Sequence, residues 1–145
     1  MNCCVGLFGT CGDSRWREDI AIPILEQRQK TYFNPVVPNW TEEAMKNEVD
    51  HAANDKVVML VITGETTGIA SMAESGWIAL QVHMGNRDLV MVIEDCPETI
   101  SDHVAINKTR KLLRNYIQKE DSPCIHIRNS VAEAAELAAN LMEIE

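Results

Sequence analysis

Val57-Val58-Met59-Leu60-Val61-Ile62 is apolar at every position rather than at alternate ones. A strand with one wet face alternates, so an unbroken run of this length reads as a strand buried on both faces, as in a parallel sheet covered by helices. Cys3 to Phe8 and Leu89 to Ile93 repeat the pattern, while Tyr32-Phe33 and Cys124 to Ile127 are shorter strand candidates. Between these runs, helical periodicity predicts helices over Ser14 to Gln29, Thr41 to Ala53, Gly68 to His83, Ser101 to Gln118 and Val131 to Ile144. Ser130-Val131-Ala132-Glu133 is a capping-box pattern and marks the start of the last helix.

Five strand-then-helix units imply an α/β fold, a single doubly wound, flavodoxin-like five-stranded parallel sheet with helices on both faces and strand order 2-1-3-4-5. Ligands in such sheets sit beyond the carboxyl ends of the strands, where the winding reverses. That places the expected site at the loops after strands one and three, flanked by the segment after strand two. Three segments follow: Gly9 to Arg17, Asn34 to Trp40, and Thr63 to Glu74.

The chain has 145 residues, with 13 Lys+Arg against 22 Asp+Glu and a formal net charge of −9. A domain of this size buries about 70% of its unfolded surface and needs no disulfide or metal to hold a core. No repeat or Gly/Ser/Pro-rich linker divides it, so residues 1–145 read as one domain. The acidic balance argues against nucleic acid and anionic membrane as partners, because neither polyanion gains from an acidic face. No signal peptide or spanning helix is evident at the start, and the expected location is the cytoplasm. Cys3, Cys4, Cys11, Cys96 and Cys124 show no C-x-x-C pair, and His51, His83, His103 and His126 show no ligand spacing, so no metal or cofactor is expected. Met72, Met91 and Met142 read as core packing.

From Gly68 to Val82 the only charged residue is Glu74. A helix apolar around its circumference is expected to be mostly buried, where a carboxylate loses hydration unless something compensates. At helical spacing Glu74 neighbours Ala70, Ser71, Trp77 and Ile78, so its own helix offers no basic partner. Two readings stand open: a catalytic carboxylate at the crevice, or a structural ion pair with an Arg such as Arg17 or with a partner subunit.

Gly9-Thr10-Cys11-Gly12-Asp13-Ser14-Arg15-Trp16-Arg17 is a small-residue loop entering a helix, with Thr10, Ser14 and Arg17 placed to hold an anion. A tight turn with Asp13 or Ser14 as N-cap accounts for its glycines equally well. Tyr32 to Trp40 carries two prolines that stiffen a loop ending in an aromatic, suited to stacking a planar ring or to covering the core. Cys11 to Arg17 also satisfies the C-x5-R spacing of thiolate phosphatases, without a matching acid loop.

Together these segments resemble the nucleoside 2-deoxyribosyltransferase-like family of small cytoplasmic α/β proteins. The resemblance spans roughly residues 6 to 80 and rests on Gly9-Thr10-Cys11-Gly12 with Trp16-Arg17, on Tyr32-Phe33-Asn34-Pro35-Val36-Val37 with Trp40-Thr41, and on Val61-Ile62-Thr63 with Gly68 to Glu74. It implies cleavage of an N-glycosidic bond and transfer of the deoxyribosyl group to a second base or to water, with Glu74 as nucleophile. The implied ligand is a small-molecule nucleoside or nucleotide, bound by Thr10, Asp13, Trp16, Arg17, Asn34, Trp40, Thr63 and Ser71. Asp13 and Asn34 would meet the sugar or base, Trp16 and Trp40 would line the base slot, and Thr10 and Arg17 would orient the sugar or Glu74.

One departure matters. The better-known branch carries an Asp six residues before the nucleophile and a Gly-Thr just ahead of it, where this chain has Gly68, Ala70 and Ser71. Base protonation then falls to Glu65 or Asp13. The resemblance also implies a homo-oligomer, for which the stretch Trp77 to Val82 and the Ala-rich last helix are candidate faces. The competing class is a nucleotide-binding module on the same fold without chemistry.

Overall fold

In a computed structural model of the chain, which describes residues 1–143, five strands form one parallel sheet in the order β2-β1-β3-β4-β5. The strands are β1 (Asn2–Gly9), β2 (Tyr32–Phe33), β3 (Asp55–Ile62), β4 (Asp88–Ile93) and β5 (Ile125–Ile127). The helices are α1 (Ile22–Gln27), α2 (Glu42–Asn54), α3 (Ile69–Met84), α4 (His103–Glu120) and α5 (Val131–Leu141), with a π-helical turn, Arg17–Ala21, leading into α1. This is the doubly wound α/β arrangement expected from the apolar runs.

All six residues Val57 to Ile62 are fully buried, and they divide by parity between two cores. Val57, Met59 and Val61 pack with Val5, Leu7, Val90 and Val92 under α1 and α5. Val58, Leu60 and Ile62 pack with Phe8, Leu89 and Met91 under α2 and α3. A strand clamped in this way has no wet face, which is why it does not alternate. The winding reverses between β1 and β3, and their carboxyl ends open the crevice.

Helix starts follow local chemistry. Thr41 Oγ1 accepts from the Ala44 amide at 3.1 Å at the start of α2. Ser130 Oγ accepts from the Glu133 amide at 3.2 Å, while Glu133 Oε2 reaches back to the Asn129 amide at 3.2 Å. The helix expected over Ser14 to Gln29 instead begins with the π-helical turn and ends at Gln27. Pro23, in the first turn of α1, supplies no N–H, so one α-helical hydrogen bond is missing where the π-helical turn meets α1. Neither Asp13 nor Ser14 caps this segment; Trp16 holds the N-cap position without a side-chain bond. The fourth helix starts at His103 rather than Ser101 because Asp102 adopts a left-handed conformation (φ 60°). The predicted end of the last helix at Ile144 lies outside the described residues.

The third helix is not buried around its circumference. Ser71, Ser75, Ile78 and Val82 form its inner stripe, whereas Ile69, Trp77, Leu80 and Met84 are exposed. Covered by α2 on one side only, α3 leaves an apolar face outward. The alanines of α5 go the other way: Ala134, Ala135, Ala138 and Ala139 are fully buried against the chain's own sheet, so that face is not free for a partner. Among the described residues no helix is long and apolar enough to cross a membrane.

Candidate functional site

A cavity of about 560 Å³ opens at the carboxyl ends of β1 and β3, a volume within the range of small-molecule sites. Its floor is the end of β1, Phe8 to Cys11. Its walls are Pro35, Val36, Val37 and Trp40 on one side and Thr66 to Ser71 with Glu74 on the other. The first turns of α3 carry Ser71 and Glu74 into it. Of the residues expected at the site, Thr10, Arg17, Trp40, Ser71 and Glu74 line this cleft.

Arg17 is almost wholly buried and folds back onto the end of β1. Its Nε donates to the Leu7 carbonyl at 2.9 Å, and its two terminal nitrogens donate to the carbonyls of Thr10 at 2.7 Å and Gly9 at 3.1 Å. Its guanidinium also lies 4.3 Å from the Trp16 ring centroid. Arg17 therefore shapes the floor through backbone carbonyls and acts on the carboxylates through space. Burial pulls its guanidinium down from the ordinary value. Among the described residues Glu74 forms no ion pair, so the structural salt-bridge reading finds no partner among them. The C-x5-R reading gains no phosphate cradle either: Arg17 is spent on carbonyls and meets Cys11 Sγ only at 3.8 Å.

Asp13, Trp16 and Thr63 are not brought to the cleft. They line a neighbouring hollow with Asp19, Glu65 and Glu94. Trp16 belongs to the core and donates its indole N–H to the Thr10 carbonyl at 2.9 Å. Thr63 closes a buried hydroxyl chain, 2.7 Å from Thr10 Oγ1 and 2.8 Å from Ser14 Oγ. Asn34 does not line the cleft; its Oδ1 accepts from the Val36 amide at 3.1 Å and so shapes the loop that forms the wall.

Neither Glu65 nor Asp13 is placed to protonate a ligand in the cleft. Burial works against ionisation of Glu65, but hydrogen bonds with Ser14, its own backbone and Thr63 outweigh it and leave the carboxyl below its usual range. A carboxyl so held stays ionised.

The carboxyl that does share the cleft with Glu74 is Glu48 of α2. In the sequence it is one acid among several in α2, with Glu42, Glu43 and Asp50. Ala44, Glu48 and Ala52 recur at four-residue spacing on the side of α2 turned toward the sheet, and that interruption of a small-residue stripe was the available signal. Burial pushes the Glu48 carboxyl up, the charge of Glu74 adds to the rise, and Arg17 opposes it. Glu74 is likewise raised by burial and lowered by Arg17. Both carboxyls in the cleft thus have a raised affinity for protons, and the charge of Glu74 acts on Glu48.

A second hollow of about 280 Å³ adjoins the first and shares Phe8, Trp40, Glu48 and Glu74 with it. Met45, Val49, Trp77 and Ile78 complete its walls. The carboxylates therefore stand between a small-residue floor and an apolar, aromatic recess.

Position 68 has no room for a side chain. It has φ +60°, and a Cβ there would lie 2.9 Å from an Arg110 nitrogen and 3.0 Å from Ile62 Cγ2. Arg110, fully buried, donates to the carbonyls of Thr63 at 2.9 Å, Glu94 at 2.7 Å, Thr66 at 2.9 Å and Thr67 at 3.0 Å. It pins the loop entering α3 from beneath, and the space a side chain at position 68 needs is occupied by that clamp.

No family model matches the chain, and neither the curated proteins nor the solved structures contain a match.

Proposed function

We propose that this cleft is the active site of an N-glycosyl-transferring enzyme. In particular it takes 2-deoxyribonucleosides or their nucleotides and passes the deoxyribosyl group to a second base or to water. The observation that carries this reading is the pairing of Glu74 with Glu48 in one cleft beside an aromatic recess. A nucleophilic carboxylate suits the reaction because the anomeric carbon gains positive charge as the base departs.

In the first displacement an oxygen of ionised Glu74 attacks the anomeric carbon and forms an ester bond. The carbon–nitrogen bond breaks, its electron pair stays with the base, and Glu48 delivers a proton to that base. In the second, Glu48 takes a proton from the incoming base or water, which displaces Glu74 and restores the free enzyme with retained configuration, by analogy with retaining glycosidases. The raised affinity of Glu48 for protons supports the donor role, and the through-space charge of Arg17 supports an ionised Glu74. Trp40 and Trp77 flank the base, Thr10 and Ser71 belong to the sugar end, and Asn34 acts by shaping the wall.

The exposed apolar side of α3 supports association of like chains. Five cysteines without disulfide partners fit a reducing compartment such as the cytoplasm.

The test is incubation with a panel of deoxynucleosides and deoxynucleotides, with and without an acceptor base, following free base by chromatography. Base release from the natural chain with loss of at least about 1000-fold in Glu74→Ala is expected. Binding without release identifies a nucleotide-binding module instead, and release blocked by thiol alkylation but not by Glu74→Ala points to Cys11.

A further inference from the structure

The end of the sheet opposite the cleft gathers a second set of reactive side chains. Cys4 near the start of β1, His51 in the last turn of α2 and Asp55 at the first position of β3 offer a sulfur, a nitrogen and an oxygen that all lie within 4.8 Å of one another. The sequence separates them, and histidine spacing alone showed no ligand pattern.

The carboxylate of Asp55 is only half satisfied. Oδ1 meets His51 Nδ1 at 2.8 Å and accepts from Asn2 Nδ2 at 3.2 Å. Oδ2 is buried with no hydrogen-bond partner, in a residue 0% exposed. The Cys4 thiol feels the Asp55 carboxylate through its charge and a side-chain hydrogen-bonding contribution, while its geometrically formed hydrogen bond runs to the Val5 carbonyl at 3.8 Å. Gly6 packs closely beside Oδ2: a Cβ there would stand 2.8 Å from Oδ2 and 2.5 Å from Phe8 Cε2, so only a glycine fits against the carboxylate and the Phe8 ring. Burial pushes the Asp55 carboxyl up against the hydrogen bonds of His51 and Asn2, and a buried carboxylate oxygen without a donor is a costly feature unless a proton or a cation meets it.

The His51 ring stacks on Phe33 with centroids 3.6 Å apart and planes 2° from parallel. The terminal nitrogens of Arg87 donate to the backbone carbonyls of Asp55 at 2.6 Å and Ala52 at 2.9 Å, bracing the α2–β3 junction rather than capping the carboxylate.

We propose that Cys4, His51 and Asp55 form a binding site for one zinc-class divalent cation, with water as fourth ligand. A borderline-soft ion is the match because the set mixes thiolate, imidazole and carboxylate. Tetrahedral coordination at ordinary bond lengths spaces ligand atoms roughly 3.3–3.8 Å apart. The three atoms, within 4.8 Å of one another, would close to that spacing on binding. On binding, the Cys4 thiol releases its proton to solvent, His51 turns a neutral nitrogen to the ion, and the thiolate and carboxylate balance its two charges. Without the ion, burial and the nearby Asp55 push the Cys4 thiol up to about 12, so it is an inert thiol rather than a nucleophile. The site ties β1 and β3 to the last turn of α2, one turn beyond Glu48.

The test is titration of the reduced, chelator-treated full chain with cobalt(II). Expected are the visible bands of tetrahedral cobalt and a sulfur-to-cobalt charge-transfer band, complete at one equivalent and displaced by zinc. Zinc raises the melting temperature of the same protein. Cys4→Ala abolishes the charge-transfer band, whereas Cys3→Ala and Cys124→Ala keep it. Should Cys4→Ala fail to fold, His51→Ala decides, since loss of a ligand costs at least the roughly 100-fold in affinity that loss of an outer partner can cost. Absence of the sulfur band at excess cobalt, its survival in Cys4→Ala, or undiminished affinity in His51→Ala overturns the proposal.

Discussion

Glu48 of α2 and Glu74 of α3 stand in the walls of the same cleft, and the charge of Glu74 contributes to holding the Glu48 carboxyl above its ordinary range. If one acts as nucleophile and the other as proton donor, activity is bell-shaped in pH. It falls on the acid side as Glu74 is protonated and on the alkaline side as Glu48 loses its proton. Glu48→Gln is expected to lower kcat by about 100–10,000-fold and to remove the alkaline limb. Substrates whose base leaves without protonation should lose far less. An unchanged alkaline limb in Glu48→Gln assigns the proton to another group.

The same pair burdens the fold. A carboxyl whose folded value lies above its unfolded one binds protons more readily in the native state. Its stability contribution is whole below the unfolded value and is lost as pH rises through the folded one. At neutral pH, Glu74→Gln and Glu48→Gln should each stabilise the protein by on the order of 1 kcal/mol. The gain should vanish as the pH falls below the ordinary carboxyl range. Thermal unfolding at several pH values measures this, and a gain that persists in acid contradicts the electrostatic explanation.

Two tryptophans separate binding from stability. Trp40 is 61% exposed and walls both hollows. Trp40→Ala should leave the melting temperature within a degree or so while raising KM about 10-fold, from a lost stacking contact of roughly 1–3 kcal/mol. Trp16, buried and bonded to the Thr10 carbonyl, should cost about 3–5 kcal/mol when truncated to alanine. Equal destabilisation by the two changes would show that Trp40 covers core.

Arg110 closes four carbonyls under the loop that delivers Glu74. Arg110→Met leaves those acceptors without donors and should destabilise by about 2–4 kcal/mol. Denaturant titration reads the loss, and a change under about 0.5 kcal/mol would mean that water replaces the clamp.

The strands are legible because burial on both faces writes itself into every residue of a run such as Val57 to Ile62, and the capping box at Ser130 is a local pattern of four residues. The handedness of the crossovers places helices on both faces, and the flavodoxin-like order 2-1-3-4-5 expected of such a chain is the order observed. Pairings between distant segments left no such local trace. Glu48 looks like any acid on a charged helix until α2 is laid against α3, and Trp16 looks like a ligand-binding aromatic until the π-helical turn carries it into the core. Whether α3 was buried depended on how many neighbours cover it, which periodicity does not encode. Cys4, His51 and Asp55 meet only because parallel pairing brings the first residues of β1 and β3 side by side at the end of α2. Local chemistry determines which elements form; the convergence of side chains across them is set by packing, and both sites described above are of that second kind.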